Sequence, residues 1–520
     1  MLPRDRHAAA EVFVGSRTSY LMGIDSGTQS TTVCVWSAAG RRVARASAPL
    51  AVRSPHPGWA EQDPRQWWAS TRTAIREALR NVPAARIAAV GVAYQRETFT
   101  LVDKRGRFLR PGVLWLDVRS SAEVERISRD IGRRRYHAAT GKPLDITSAL
   151  ARLLWLRRHE PSCLRSAAMW MDVGGHLAQR LTGRCATCTA GTDTCGLIGL
   201  KRRDWIDAHL HCAGLKRRQL PELVEPGEVI GRLSRSAARR THLPEGLPVV
   251  AAGGDGQVFS VGTGAAAPYQ MSLTLGTSIV LGLSCPRPIV SPLFRTLIAA
   301  SPGYLLESVL QAGTYLLRWF VDRFGGAAGT TEAAWDRRVG RVPPGCEGLV
   351  TLPNWWGVRF PETLPEARGV TLGWSDHHTP AHFYRSLLEG TSFELRRLMG
   401  QLRAMLPRRV RRSLRAGGGG ARSKHWPQML ADVTGSAIEL IREPEATALG
   451  AAILAGVGIG VFEDVRSGCA RMCRVRKRLD PDAALRRFYG RLYRDVYSRL
   501  LGATADLSQS LRRICKPPGT

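Results

Sequence analysis

One carboxylate set among small residues, in Gly253-Gly254-Asp255-Gly256-Gln257, is the chain's first candidate for a reacting group. Phosphoryl transfer asks little covalent chemistry of a protein. It does need a carboxylate that orients the attacking hydroxyl and takes its proton. Standing alone, the same five residues read equally well as an aspartate in a β-turn between apolar strands.

Three further turns weigh on that choice. Asp25-Ser26-Gly27-Thr28-Gln29-Ser30 places a glycine and hydroxyls where backbone amides can approach phosphate oxygens, beside a carboxylate suited to a hydrated Mg2+ ion. Leu275-Gly276-Thr277-Ser278 repeats that chemistry in the second half. The glycine run Gly417, Gly418, Gly419, Gly420 leads through Ala421-Arg422-Ser423 into a helix, whose first amides favour anions. Each turn alone is ordinary. Together they point to a bound nucleotide.

Gln95-Arg96-Glu97-Thr98 follows a buried strand, and Trp115-Leu116-Asp117-Val118-Arg119 lies a short way on. Carboxylate and guanidinium forks can hold hydroxyl pairs of a sugar or polyol while an indole covers its C–H face. The same residues also suit a surface ion-pair network around a core tryptophan.

The elements that must carry these residues follow from periodicity. Residues 20–36 read as strand, glycine turn, strand, with a further strand at 42–48, a helix at 64–79 and a buried strand at 87–93. The pattern restarts at 271–283, followed by a strand at 303–310, helices at 380–405 and 425–434 and a strand at 437–441. Two halves of an α/β chain are therefore expected, a first domain over 20–260 and a second over 261–502. Residues 1–19 read as an extension and 503–520 as an aperiodic tail. The apolar, glycine-rich run 446–462 is short for a membrane span and suits a buried helix pair.

Lys and Arg number 75 against 43 Asp and Glu, a formal net charge of +32. The excess is nearly all arginine, spread over the chain with short runs at 133–135 and 408–412, so solvated arginine faces are expected rather than a nucleic-acid partner. No apolar leader opens the sequence, and the 11 cysteines lack a regular framework, which predicts a cytoplasmic protein with reduced thiols and no membrane partner. Cys185, Cys188, Cys195, His211 and Cys212 could supply zinc ligands, but no second Cys-x-x-Cys closes the set. A homodimer is compatible with the sequence, which does not fix the oligomer.

With these segments in place, the chain resembles the FGGY carbohydrate kinases from about residue 20 to 501. The resemblance rests on GIDSGTQST, PGWAEQDPRQWW, VLWLDVR, AAGGDGQ, LTLGTS, SLLEGTSFELR, GGGGARSKHWPQMLADVTG and EATALGAAILAG. It implies two actin-like (ribonuclease H-like, ASKHA) domains around a central cleft, the first binding sugar and the second ATP. It also implies that Asp255 is the general base and a sugar contact with Arg96 and Glu97, and that Gln95, Trp115, Asp117 and Arg119 are neighbours. Asp25 would be the magnesium carboxylate, with Ser26, Gly27, Thr28, Gln29, Ser30 and Thr277 near the phosphates. Gly276, Gly313, Gly418, Gly419, Gly420 and Ser423 would line the nucleotide.

Two departures bear on activity and substrate. Thr32 stands where many members carry a Lys or Arg, so one cation near the phosphates is lost. Gln-Arg-Glu-Thr is similar to glycerol kinases, whereas AAGGDGQ and PHPGWAEQDP look more like xylulose kinases. A xylulose-like ketose is the expected acceptor, with glycerol or another polyol as the alternative. A catalytically weakened sugar or nucleotide sensor on the same fold is the alternative of another class, motivated by Thr32 and the unusual PNWWGVRFPE segment.

Overall fold

The computed structural model describes residues 19–325, 331–358, 364, 367–406 and 413–515. Residues 1–18 of the 1–19 extension, the arginine run at 408–412, part of PNWWGVRFPE and residues 516–520 of the expected tail lie outside them. Glycine turns close the hairpins that the sequence announces. Gly27 N–H donates to Ser30 O at 3.0 Å, joining the antiparallel strands Tyr20–Ser26 and Ser30–Ser37. Tyr20–Ser26 also runs parallel to Ile87–Tyr94, which runs parallel to Pro248–Gly254. A third antiparallel strand, Arg42–Pro49, and the edge strand Val229–Arg232 complete a six-stranded sheet.

The second sheet repeats the plan. Met271–Leu275 and Ile279–Cys285 form the hairpin, and Tyr304–Leu310 pairs with the second of them. Ser413–Gly417 and Ala437–Ile441 add parallel strands on the other side. In both sheets three antiparallel strands adjoin two parallel ones in the same order. This is the doubled, actin-like α/β arrangement, and each hairpin turn is thereby placed beside the carboxyl ends of parallel strands, where ligands of open α/β sheets bind.

Two helices tie the lobes together, Asp255–Gly262 and Ala446–Gly458. They cross so closely that a Cβ on Gly262 would lie 1.7 Å from Ala446 O, and one on Gly450 2.3 Å from Val258 O. The second helix also packs on the first sheet, where Gly23 and Gly91 make room for the backbone of Ala448 and Ala451. The 446–462 run is thus one helix followed by a turn at Gly460 (φ 76°), not a helix pair. Its small residues serve close approach to a sheet.

The chain's end also differs from expectation. A π-turn at Tyr493–Tyr497 links Ala483–Leu492 to a helix, Ser498–Ile514, so most of the expected tail is helical. Leu507, Leu511 and Ile514 recur at helical spacing there and are exposed. Among the described residues no helix is long and apolar enough to cross a membrane, and no three His, Cys, Asp or Glu side chains gather as a metal site. The cysteines are unpaired, with Cys188 and Cys195 buried.

Candidate active site

Asp255 is the first residue of its helix, immediately after the strand Pro248–Gly254. The strand bulges between Ala251 and Gly253, and Gly253 takes φ 117°, a backbone that favours glycine. The flanking glycines have a specific purpose. A Cβ on Gly254 would lie 2.7 Å from Arg96 Cγ and Cδ, and one on Gly256 3.0 Å from Arg96 Nη2. Their absence lets the arginine lie flat beside the aspartate.

Arg96 Nε stands 3.3 Å from Asp255 Oδ1, which also accepts the Gly256 amide at 2.8 Å. Two fifths of the Asp255 side chain remains open to solvent. Its surroundings are nonetheless mostly protein: desolvation pushes the carboxyl above its usual range, and the Arg96 guanidinium and Gly256 amide pull it part of the way back.

Arg96 is shared. Its Nη1 donates to Glu307 Oε2 at 2.8 Å, and Glu307 comes from the second sheet. Arg295 Nη1 lies 3.4 Å from Glu307 Oε1, while Arg295 Nη2 pairs with Glu97 Oε1 at 2.5 Å. Asp255, Arg96, Glu307, Arg295 and Glu97 therefore form one alternating chain of charges that crosses twice between the halves. Burial alone would raise the fully enclosed Glu307 carboxyl, but Arg96 and Arg295 outweigh it and hold it below the usual range. Glu97 sits at φ 58°, a strained position for a side chain of this size, fixed in part by Arg152, which donates to its carbonyl at 2.7 Å.

Beside this chain Lys142 Nζ pairs with buried Asp193 at 2.8 Å, and Gln257 Nε2 donates to the same aspartate at 3.2 Å. Asp193 also accepts the Ile298 amide at 2.9 Å. These bonds fasten the Arg295–Ile298 strand of the second sheet to the first half.

Asp25 occupies the end of the first hairpin strand, opposite Thr32. Its Oδ1 is buried without a hydrogen-bond partner, and desolvation, with repulsion from Asp255 and Glu445, pushes its carboxyl up to about 8. A buried carboxyl without a partner, among other carboxylates, suits a cation that would take the place of its proton. One carboxylate with waters and substrate phosphates is an ordinary magnesium donor set. Thr32 itself hydrogen-bonds with Ser47 at 3.2 Å, and Arg45, farther along the adjoining strand, pairs with Glu445 at 2.7 Å.

Several residues expected at ligands face elsewhere. Gln95 is wholly buried, with its amide on Gly27 O at 3.2 Å and Gln62 Oε1 at 3.1 Å, so it braces the first turn rather than reaching a sugar. Asp117 is also wholly buried, accepting from the Ala60 amide and the Arg119 guanidinium at 2.7 Å each. Arg119 continues to Glu61 at 2.7 Å and stacks 3.6 Å over Trp59. The pair belongs to the ion network that was the simpler reading of that segment. Trp115 is half-buried and donates its indole N–H to Thr28 Oγ1 at 2.9 Å. Ser26 turns its hydroxyl toward Thr31 at 3.4 Å, leaving only its backbone for a phosphate, while Gln29 is exposed and Ser30 half-buried.

The second-half turns pack backbone against backbone. Thr314 N–H donates to Gly276 O at 2.8 Å, and a Cβ on Gly313 would sit 2.4 Å from that same oxygen. Gly418, at φ 95°, presses on Leu275, and Gly420 on the Trp426 ring. Thr277 and Gly419 stay exposed. Ser423 Oγ donates to Asp336 at 2.5 Å and accepts the Trp426 amide, the first of the Trp426–Thr434 helix, at 2.9 Å. Beside them opens a cavity of about 360 Å³, whose lining includes Thr314, Arg318, Asp336, Tyr384, Gly419 and Gly420.

Sequence reasoning passed over Glu307, Arg295, Asp336 and Arg318. For the first two the available signal was an acid and an arginine in the largely apolar, buried strands Tyr304–Leu310 and Arg295–Ile298, since buried charges need partners.

Comparison with known proteins bears on this geometry. Residues 20–262 match the model of the FGGY family of carbohydrate kinases, N-terminal domain, and residues 271–459 match its C-terminal domain. A xylulose kinase of Escherichia coli is 32% identical over 445 residues, 84% of this chain and 89% of its own. An autoinducer-2 kinase of Yersinia enterocolitica is 29% identical, over 90% of this chain and 92% of its own. The crystal structure of xylulose kinase from Rhodospirillum rubrum superposes with a TM-score of 0.87 at 28% identity, covering 94% of this chain and all of that one.

Proposed function

The chain belongs to the FGGY family of carbohydrate kinases, phosphotransferases that use ATP to phosphorylate a sugar hydroxyl, and from that premise we propose that it phosphorylates a hydroxyl of a xylulose-like ketose, with Asp255 as the proton acceptor. The observation that carries this is the half-open Asp255 carboxylate at the junction of the halves. It faces Asp25 of one phosphate turn electrostatically and touches Arg96 on the acceptor side.

In this reading Oδ2 of Asp255 accepts the proton of the acceptor hydroxyl while that oxygen bonds the γ-phosphorus. The bond from the γ-phosphorus to the bridging oxygen breaks, and its electron pair leaves with ADP. Arg96 holds the carboxylate in place through Oδ1. Asp25 would hold the magnesium ion through waters, and that ion, when bound, offsets negative charge on the phosphates. Backbone groups of 26–30, 276–277 and 418–419, with the Thr277 hydroxyl, line the phosphate path. The 360 Å³ cavity has the size of a small-ligand site and takes the adenosine, with Gly313 and Ser423 holding the turns around it. Glu97, Trp115 and Thr28 border the sugar.

A polyol such as glycerol is the second reading, favoured by the adjacent Arg96 and Glu97 at the acceptor end. Incubation with MgATP and a panel of D-xylulose, D-ribulose, glycerol and D-gluconate, followed by ³¹P NMR for a new phosphomonoester, tests both. D-xylulose is expected to give the fastest turnover. Exclusive turnover of glycerol would replace the first reading with the second, and no phosphomonoester from any acceptor would refute both.

A further inference from the structure

We propose that Glu307, contributed by the second sheet, is a positioning residue for phosphoryl transfer: it holds the Arg96 guanidinium away from Asp255 Oδ2, so that this oxygen stays free for the acceptor hydroxyl. The inference rests on the reading of Asp255 as the proton acceptor.

The geometry is uneven in a telling way. Arg96 meets Glu307 at 2.8 Å through Nη1 but meets Asp255 only at 3.3 Å, through Nε. Arginine and carboxylate prefer two parallel N–H···O bonds. Here Nε lies within ion-pair distance of Oδ1, at 3.3 Å, without forming a directed hydrogen bond to it. The two-bond arrangement would bring both aspartate oxygens under the guanidinium charge, and a carboxylate clamped in that fork is a weaker base for the hydroxyl proton and has fewer lone pairs left for a substrate.

Two features keep the arginine where it is. Glu307 is completely buried, so its charge cannot be satisfied by water and must be met by Arg96 and, at 3.4 Å, by Arg295. Gln257 Oε1 takes a second bond from Arg96 Nη1 at 3.3 Å. Asp255 competes at a disadvantage, since two fifths of its side chain meets solvent while Glu307 meets none. Glu97 is bonded instead by Arg295, whose Nη2 meets its Oε1 at 2.5 Å. Since Glu307 belongs to the second sheet and Arg96 to the first half, the free state of Oδ2 depends on the two halves being correctly docked.

The test compares Glu307→Gln, which keeps the shape and removes the charge, with Glu307→Asp, which keeps the charge, and with Asp255→Asn. Steady-state rates are measured with MgATP and D-xylulose, and the crystal structure of Glu307→Gln is determined. Glu307→Gln is expected to lower kcat at least tenfold with the KM for MgATP unchanged, and its structure to show Arg96 bonded to both Asp255 oxygens. Glu307→Asp should stay within about threefold of the parent, a split that a merely structural role would not produce. An Arg96 that stays 3.3 Å from Asp255 in Glu307→Gln would overturn the proposal whatever sugar is used. So would a parental kcat in that variant, or a Glu307→Asp as slow as Glu307→Gln. Parental turnover by Asp255→Asn would instead refute the base itself, which separates the two failures.

Discussion

The proposed acceptor and nucleotide ends of this site are built from different materials. Around Asp255 the structure relies on side chains, five charges in alternation, each held by the next and most of them buried. Around Gly276, Gly313 and Gly418 it relies on backbone, with glycines that let carbonyls and amides nearly touch. A side-chain site is fragile toward loss of charge and a backbone site toward gain of volume. On the proposed reading, one end can therefore change its ligand by changing a few residues, whereas the other is committed to phosphates by its chain path.

Substitutions at each end can break that contrast. Removing a charge from the acceptor chain should cost most: Arg96→Leu leaves Glu307 buried and short of its closest partner, and is expected to lose about 3–5 kcal/mol in urea unfolding along with turnover. At the nucleotide end a single methyl should suffice. Gly313→Ala places a Cβ 2.4 Å from Gly276 O, which should cost about 1–3 kcal/mol and raise the KM for ATP roughly tenfold, with the sugar KM little changed in steady-state assays. Equal damage to both KM values would erase the distinction between the ends.

Ser423→Ala sharpens the contrast by changing a side chain at the backbone end. It removes a hydrogen bond to the first amide of the Trp426–Thr434 helix and a partner of Asp336, for a loss of about 1 kcal/mol of unfolding free energy in urea and a modest rise in the ATP KM. Asp25→Asn should act in the opposite direction. A carboxyl pushed up to about 8 in the folded state, against an ordinary value of 3.8, keeps its proton folded and releases it unfolded, so it costs stability progressively as pH rises between those values. In chelator, without nucleotide, Asp25→Asn should melt a few degrees above the parent at pH 8 and equally near pH 4, while losing kinase activity. A lower melting temperature at pH 8 would mean that Asp25 is not an unsatisfied anion.

Much of this was legible in the sequence because it is local. The hairpins at 20–36 and 271–283 need only a glycine turn between β-rich runs, and Asp255 announces itself by the glycines that turn out to accommodate Arg96. The charge chain was not legible. Arg96 and Glu307 are 211 positions apart, and nothing in either segment names the other. Gln95, Asp117 and Arg119 show the reverse failure. Residue type suggested a polyol pocket, but side-chain direction, which sequence does not carry for loops, put Gln95 behind the first turn and locked the other two into a network with Glu61. The run 446–462 misled for a third reason: its glycines, which serve helix-to-sheet contact, look like breaks between helices.

The central claim is that Asp255 takes the proton from the acceptor hydroxyl. Its most direct test is ADP formation by Asp255→Asn beside the parent, with MgATP and the best acceptor of the panel, and with ATP affinity measured calorimetrically on both. A fall of about 10²–10⁴-fold in kcat at unchanged ATP affinity is the predicted result. Turnover at the parental rate would contradict the account.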